Sequence, residues 1–316
     1  MTANPPARRS IRMSLLVVAL VAAACGSVHP TPSPAATPDR AGPVAGAPFA
    51  DLLTLAGGEL SLFDSEGVER PVAGPGEAIE LASAAHGTIV ARTAGQAFHV
   101  ATALGSDVES LEWRTIELDP GVARRPLTEM ALSPDATRLA ILAADFGSGE
   151  PFEVVLVDVG SAATRVVAID REPNGPPVWL DPSTLLLEVT AGPAGGPFLR
   201  LDVGRDRSEG VPAQGYGPAL SGDATAVAVL GDESGVRVLQ TSDWLAGGEG
   251  ETGEEVTISV NASRVAVDAT GRRVAIMAED VEGTPTSLMV YARDDRGWFQ
   301  AGQIRGEEPR WFGWLR

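Results

Sequence analysis

Beyond the first fifty residues, the hydrophobic positions of this chain come in short runs broken by Gly, Pro, Asp and Ser. Phe152-Glu153-Val154-Val155-Leu156-Val157-Asp158 and Thr164-Arg165-Val166-Val167-Ala168-Ile169 have strand length and strand composition. Ser287 to Tyr291 and Trp298 to Ile304 make another such pair. No segment past the N-terminal apolar stretch carries a helical stripe of useful length. The pattern therefore predicts an all-β fold.

The runs recur around a common turn. Leu132-Ser133-Pro134-Asp135-Ala136-Thr137-Arg138-Leu139-Ala140 is the clearest unit, followed by Leu220-Ser221-Gly222-Asp223-Ala224-Thr225-Ala226-Val227-Ala228 and Val267-Asp268-Ala269-Thr270-Gly271-Arg272-Arg273-Val274-Ala275. Weaker copies run from Leu81 to Val90 and from Leu180 to Leu186, and Trp311-Phe312-Gly313 opens a sixth. Pro134 presets φ and Ser133 with Asp135, Ser221 with Asp223, or Asp268 caps the loop, so each unit reads as a hairpin. With Ser83, Ser133, Asp181, Ser221, Asp268 and Gly313 as equivalents, the steps are 50, 48, 40, 47 and 45 residues. That spacing suits four-stranded blades of a propeller. The alanine after the turn (Ala140, Ala228, Ala275) suits close packing of neighbouring sheets.

The last unit has room for one strand, near Arg310 to Leu315. Asp51 to Leu55, Glu59 to Asp64 and Val68 to Val72 supply the missing three. The expected architecture is a six-bladed β-propeller over residues 50–316, closed by N- and C-terminal strands in one blade. A seventh blade would need a degenerate unit in the stretch Ala103 to Thr128.

The N-terminus has another grammar. Arg8, Arg9 and Arg12 precede Met13 to Ala24, an uncharged apolar stretch that ends in three alanines directly before Cys25, the single cysteine. That describes a secretory signal over residues 1–24, whose apolar stretch from Met13 to Ala24 is too short to span a bilayer permanently, which takes about 20 apolar residues. Val21-Ala22-Ala23-Ala24-Cys25-Gly26 resembles the lipobox of bacterial lipoproteins. The resemblance implies cleavage between Ala24 and Cys25 and a diacylglyceryl group on the Cys25 sulfur. Two or more acyl chains hold a protein stably on a membrane. Residues 25–49, rich in Pro, Ala and Thr, have no hydrophobic period and read as a flexible, disordered tether.

All 42 acidic residues lie after Cys25 together with 21 of the 24 arginines, and there is no lysine. A body near −21 is repelled by phosphate backbones, so no nucleic-acid partner is expected. Attachment to the membrane then falls to the lipid on Cys25. Of the three histidines, His29 lies in the tether, His86 in a repeat turn and His99 in a strand; all three read as structural. No nucleophile elbow is present. The acidic stretches Asp145 to Glu150, Asp232 to Gly235, Glu249 to Glu255 and Asp294-Asp295 lack the spacing of a dedicated calcium loop and read as solvated hairpin tips. No catalytic residue, metal site or cofactor is assigned. Trp244, Trp298, Trp311 and Trp314 read as inter-blade packing rather than a contact surface.

Leu-Ser-Pro-Asp-x-Thr-Arg-Leu-Ala at Leu132 to Ala140 resembles the SPDG-type repeat of TolB-like β-propellers and the propeller half of LpqB-type lipoproteins, with Ala136 in place of the usual turn glycine. Anchor, tether and a rigid display fold lead us to expect an extracytoplasmic, membrane-anchored binding or scaffold module for an envelope protein, peptide or cell-wall ligand. The membrane, inner or outer, is left open. The alternative is a propeller hydrolase, lyase or sugar dehydrogenase whose carboxylates come from separate loops.

Overall fold

A computed structural model describes residues 48–64, 66–83, 87–102, 111–143, 151–190, 197–231, 235–247, 254–256, 261–279, 284–305 and 309–315. All belong to the compact unit Val44–Arg316. The described residues form six four-stranded antiparallel sheets. The first blade joins β1 (Leu52–Ala56), β2 (Glu59–Phe63) and β3 (Glu69–Val72) to the C-terminal strand β24 (Trp311–Trp314). The second holds β4 (Ala78–Ser83), β5 (Thr88–Thr93), β6 (Phe98–Thr102) and β7 (Arg114–Ile116). The third holds β8 (Leu127–Leu132), β9 (Arg138–Ala143), β10 (Phe152–Asp158) and β11 (Thr164–Ile169). The fourth is β12 (Val178–Asp181), β13 (Thr184–Glu188), β14 (Phe198–Asp202) and β15 (Arg207–Val211). The fifth is β16 (Tyr216–Leu220), β17 (Ala226–Leu230), β18 (Val236–Gln240) and β19 (Glu254–Val256). The sixth is β20 (Asn261–Val267), β21 (Arg273–Glu279), β22 (Pro285–Asp294) and β23 (Gly297–Arg305).

This is a six-bladed propeller. The ring closes where β24 pairs with β1, Leu52 opposite Trp314 and Leu55 opposite Trp311. The stretch from Ala103 to Thr128 yields no seventh blade among its described residues: it gives β7, a one-turn helix α1 (Pro120–Ala123) and the start of β8. A second single turn, α2 (Thr241–Leu245), follows β18. Helices this short leave no stripe in a sequence.

The core is distributed around the ring. Six hydrophobic clusters lie one between each pair of adjacent blades. Successive residues of a middle strand feed opposite clusters: Leu139 and Ile141 pack toward the second blade, Ala140 and Leu142 toward the fourth. Strands buried on both faces lose the apolar–polar alternation and read as unbroken hydrophobic runs, which accounts for Leu139 to Ala143 and Val274 to Ala278. Ala140, Ala228 and Ala275 are fully buried, each in the cluster facing the next blade. The outermost strands are polar, as in β15, where four of five residues are exposed.

Candidate functional site: the axial cavity

The innermost strands are β24, β4, β8, β12, β16 and β20, one per blade. They enclose an axial cavity of about 260 Å³, to which Leu81, Met130, Trp179, Leu220, Val267 and Phe312 each contribute from a different blade. Its described lining holds no ionisable side chain and one hydroxyl, that of Ser221. The Ser221 Oγ donates to Asp223 Oδ1 at 2.7 Å and accepts the Ala226 N–H at 3.0 Å. Trp311 and Trp314 also face the cavity. The Trp311 ring lies over Gly313, where a Cβ would come within 2.7 Å of it, so the glycine makes the room.

An innermost strand is an edge strand, and its outward backbone groups need partners. Side chains from neighbouring blades provide several. Glu80 on β4 accepts the Met130 N–H of the next blade at 2.7 Å. Arg92 clasps Glu80 at 2.6 Å and donates to the Leu127 carbonyl at 2.7 Å. Glu188 accepts the Gly217 N–H at 2.8 Å, Trp179 donates to the Ala131 carbonyl at 3.1 Å, and Arg264 donates to the Arg310 carbonyl. Five of the six inner strands carry a register shift, at Ala78/Glu80, Leu127/Met130, Trp179/Asp181, Tyr216/Ala219 and Ala262/Arg264. Burial pushes the Glu80 carboxyl up to about 7, against the pull of Arg92 and with the push of Glu129.

The repeat turns join the innermost strand to the second and reach one end of the cavity, where Pro134, Ser221, Gly222 and Ala269 belong to its wall. Ser133 Oγ donates to Asp135 at 2.6 Å and accepts the Arg138 N–H at 2.9 Å; Asp135 also accepts from Thr137 N and Oγ1. Asp223 repeats this with Ser221 and Thr225. In the sixth blade Asp268 takes over the serine's place and accepts from Thr270 Oγ1, Arg272 N, Arg273 N and Arg273 Nε. Burial raises the Asp135 carboxyl, but hydrogen bonds from Ser133 and Thr137 outweigh it and hold the group below its ordinary range. The Ser221 and Thr225 hydrogen bonds hold Asp223 low likewise. Arg273 extends its turn to the ring closure: Nη1 donates to the Ala50 carbonyl at 2.8 Å, and the guanidinium lies 5.4 Å from the Trp314 ring centroid.

Cys25, Ala24, His29 and His86 lie outside the described residues, as do the acidic stretch at 145–150, Asp232, Glu233 and residues 249–253. His99 sits on β6, away from the cavity, with its Nδ1 3.3 Å from Thr115 Oγ1. Asp294 caps a hairpin tip by accepting the Arg296 N–H. Trp244 is buried between the fourth and fifth blades, edge-on to Phe198, and donates to the Gln214 carbonyl. Trp298 packs between the fifth and sixth. Trp311 and Trp314 have a second face on the cavity, which packing alone does not describe. A second cleft of about 300 Å³, between the third and fourth blades, holds Arg138 and Arg165, whose guanidiniums are spent on Pro182 O, Val203 O and Asp206.

Sequence reasoning missed Trp179, Glu80 and Arg92. A signal for the first existed. Two residues before each repeat equivalent stand Leu81, Ala131, Trp179, Ala219, Ala266 and Trp311, and all six line the cavity. No sequence signal marked Glu80, because its partner strand begins some fifty residues on.

No protein-family model matches this sequence, and no curated protein matches it. Solved structures do. TolB from Acinetobacter baumannii superposes with a TM-score of 0.58 at 14% identity, over 85% of this chain and 67% of that one. An oligogalacturonate lyase in complex with manganese superposes with a TM-score of 0.51 at 11% identity, over 82% of this chain and 78% of that one. Among the described residues no three His, Cys, Asp or Glu side chains converge as a metal site. At these identities the likeness concerns the fold alone, and the fold is a TolB-like six-bladed β-propeller around an axial cavity whose described lining carries no ionisable side chain.

Proposed function

We propose that this chain is an extracytoplasmic lipoprotein, held to its membrane by lipid on Cys25, whose propeller is a binding or scaffold module for an envelope protein, peptide or cell-wall ligand. The axial cavity carries the reading: all six blades contribute to it, and its described lining offers contact surface without an acid, a base or a nucleophile free to react. The stretch Val21 to Gly26 supports the anchor, and the tether after it gives the propeller reach. The enzyme reading draws on the fold shared with the oligogalacturonate lyase; it asks for carboxylates carried on loops outside the cavity wall.

One experiment addresses anchor and partner together. In a bacterial host that processes lipoproteins, the full chain is expected in the membrane fraction and its Cys25→Ser variant in the soluble one. Retention of that variant would refute the lipid anchor. Cross-linking in intact envelopes is expected to capture a discrete partner, and capture no different from that of an unrelated anchored protein would sink the scaffold role.

A further inference from the structure

The outermost strands of the six blades are not alike. β3, β7, β11, β15 and β19 are three to six residues long, and each carries at least one Arg or Glu. β23, outermost in the sixth blade, has nine residues and no charge from Gly297 to Ile304. Shortness and charge keep the free edge of a sheet from pairing with another chain, and β23 has neither over this stretch. A register shift at Val290/Tyr291 interrupts it. Beyond the shift, Gly302, Gln303, Ile304 and Arg305 run regularly opposite Val290, Met289, Leu288 and Ser287.

Phe49 lies against that half of the strand. A Cβ on Gly302 would come within 2.6 Å of Phe49 Cζ, so the glycine is a socket for the ring. The ring is also 5.5 Å from that of Phe63 and joins the cluster between the sixth and first blades. The Phe49 carbonyl accepts the Leu52 N–H at 2.9 Å, and the Ala50 carbonyl accepts from Arg273. The chain thus reaches β1 by way of β23, and the residues before Phe49 start out beside that strand. The compact unit begins at Val44. Residues 44–47, Val-Ala-Gly-Ala, are uncharged and stand between Pro43 and Pro48, neither of which has an N–H to donate. Their length is that of Gly302 to Arg305.

We propose that residues 44–47 lie along Gly302 to Arg305 as a fifth strand of the sixth blade, pinned by Phe49 in the Gly302 socket. Main-chain hydrogen bonds supply the attachment, as in β-strand addition to a free edge, and the small side chains need no pockets. The strap covers the unprotected edge against a second copy of the chain. It also fixes where the polypeptide leaves the propeller, at the outer side of the sixth blade. The proposal is independent of lipid on Cys25 and of any occupant of the axial cavity.

The test uses the full chain, purified in detergent, and reads hydrogen exchange residue by residue by NMR. In an antiparallel pair, alternate amides of the outer strand point away from its partner. Those of Gly302 to Arg305 are expected to exchange at least about tenfold more slowly than the outward amides of β15, whose residues are mostly exposed. Equal rates overturn the proposal. So does slow exchange that speeds up on dilution, because a second copy then holds the edge. Gly302→Val suits a strand but fills the socket, and is expected to bring the rates to those of β15; unchanged rates overturn the proposal. If that variant does not fold, Ala45→Pro and Gly46→Pro replace it, since both positions lie outside the described strands. Neighbouring amides of a strand point opposite ways, so one of the two prolines removes a bond to β23 and is expected to speed exchange there about tenfold. Indifference to both prolines overturns the proposal. None of these outcomes depends on membrane retention, so a failed strap and a failed anchor are told apart.

Discussion

Ala136 and Ala224 hold the αL position of their turns, at φ 57° and φ 55°, where the sixth blade has Gly271 at φ 68°. A Cβ at positive φ costs roughly 1 kcal/mol, partly offset in glycine by the entropy of the unfolded chain. Ala136→Gly and Ala224→Gly are each expected to raise stability by about 0.5 kcal/mol, read as a higher urea midpoint with unchanged slope. A lower midpoint would mean that the alanine methyl packs for more than its strain; Ala136 does touch the cluster between the second and third blades. Glu80 poses the converse problem, a carboxyl only 8% exposed and clasped by Arg92. Its carboxyl is raised from 4.5 to about 7 by burial, so its contribution to stability is complete below pH 4.5 and is lost as pH climbs through about 7. Asp135, Asp181 and Asp223, all held low, work in the other direction and lose their contribution in acid. Unfolding free energies from urea titrations should therefore decline from pH 5 to pH 8, by about 3 kcal/mol at most for Glu80. Glu80→Gln should flatten that decline. A slope untouched by the substitution would place the buried carboxyl elsewhere on the pH scale.

At the scale of the strand, legibility follows burial. Phe152–Asp158 is β10 to the residue, because a middle strand pressed between two clusters must be apolar on both faces and stands out from its polar turns; Thr164–Ile169 is β11, the outermost strand of that blade, with only Val167 and Ile169 buried, and it is read from its β-branched composition. The closing strands were legible by burial as well: Leu52, Leu53 and Leu55 are wholly buried in β1, and Phe312 and Trp314 nearly so in β24. The innermost strands were harder to read. Register shifts interrupt the period of two in five of them, and their inner edges look onto the cavity while their two faces feed the clusters on either side. A tryptophan there, such as Trp179, therefore resembles ordinary core until the blades are arranged around an axis. Glu80 was illegible for a different reason: in one dimension a glutamate between Ile79 and Leu81 is the polar half of an alternating strand. It becomes a buried group only when β8 is laid beside β4. Arginine usage gains a physical role here as well. Arg92, Arg114, Arg138, Arg165, Arg264 and Arg273 each donate to a backbone carbonyl of the following blade, a contact for which a planar, many-donor guanidinium is well shaped.

For the whole molecule, closure decides how it fails. In an open array of repeats each unit contacts only its neighbours, so removing the last one leaves the others standing. In this ring the last strand is also the innermost strand of the first blade, and Leu315 donates its N–H to the Asp51 carbonyl. Deleting residues 310–316 removes Phe312 and Trp314 from the cluster between the sixth and first blades, and Leu315 from that between the first and second. It also bares the inner edge of β1. Loss of a buried Phe or Trp side chain costs about 3–5 kcal/mol each, and two such losses rival the roughly 5–15 kcal/mol that holds a typical domain folded. The truncated chain is therefore expected to lose its cooperative thermal transition altogether, with β-sheet circular dichroism and protease resistance falling together around all six blades. A truncation that kept five blades protected and only the first blade open, by hydrogen exchange, would show that the inter-blade clusters stand without the clasp. The propeller would then be a curved stack that happens to meet its own end.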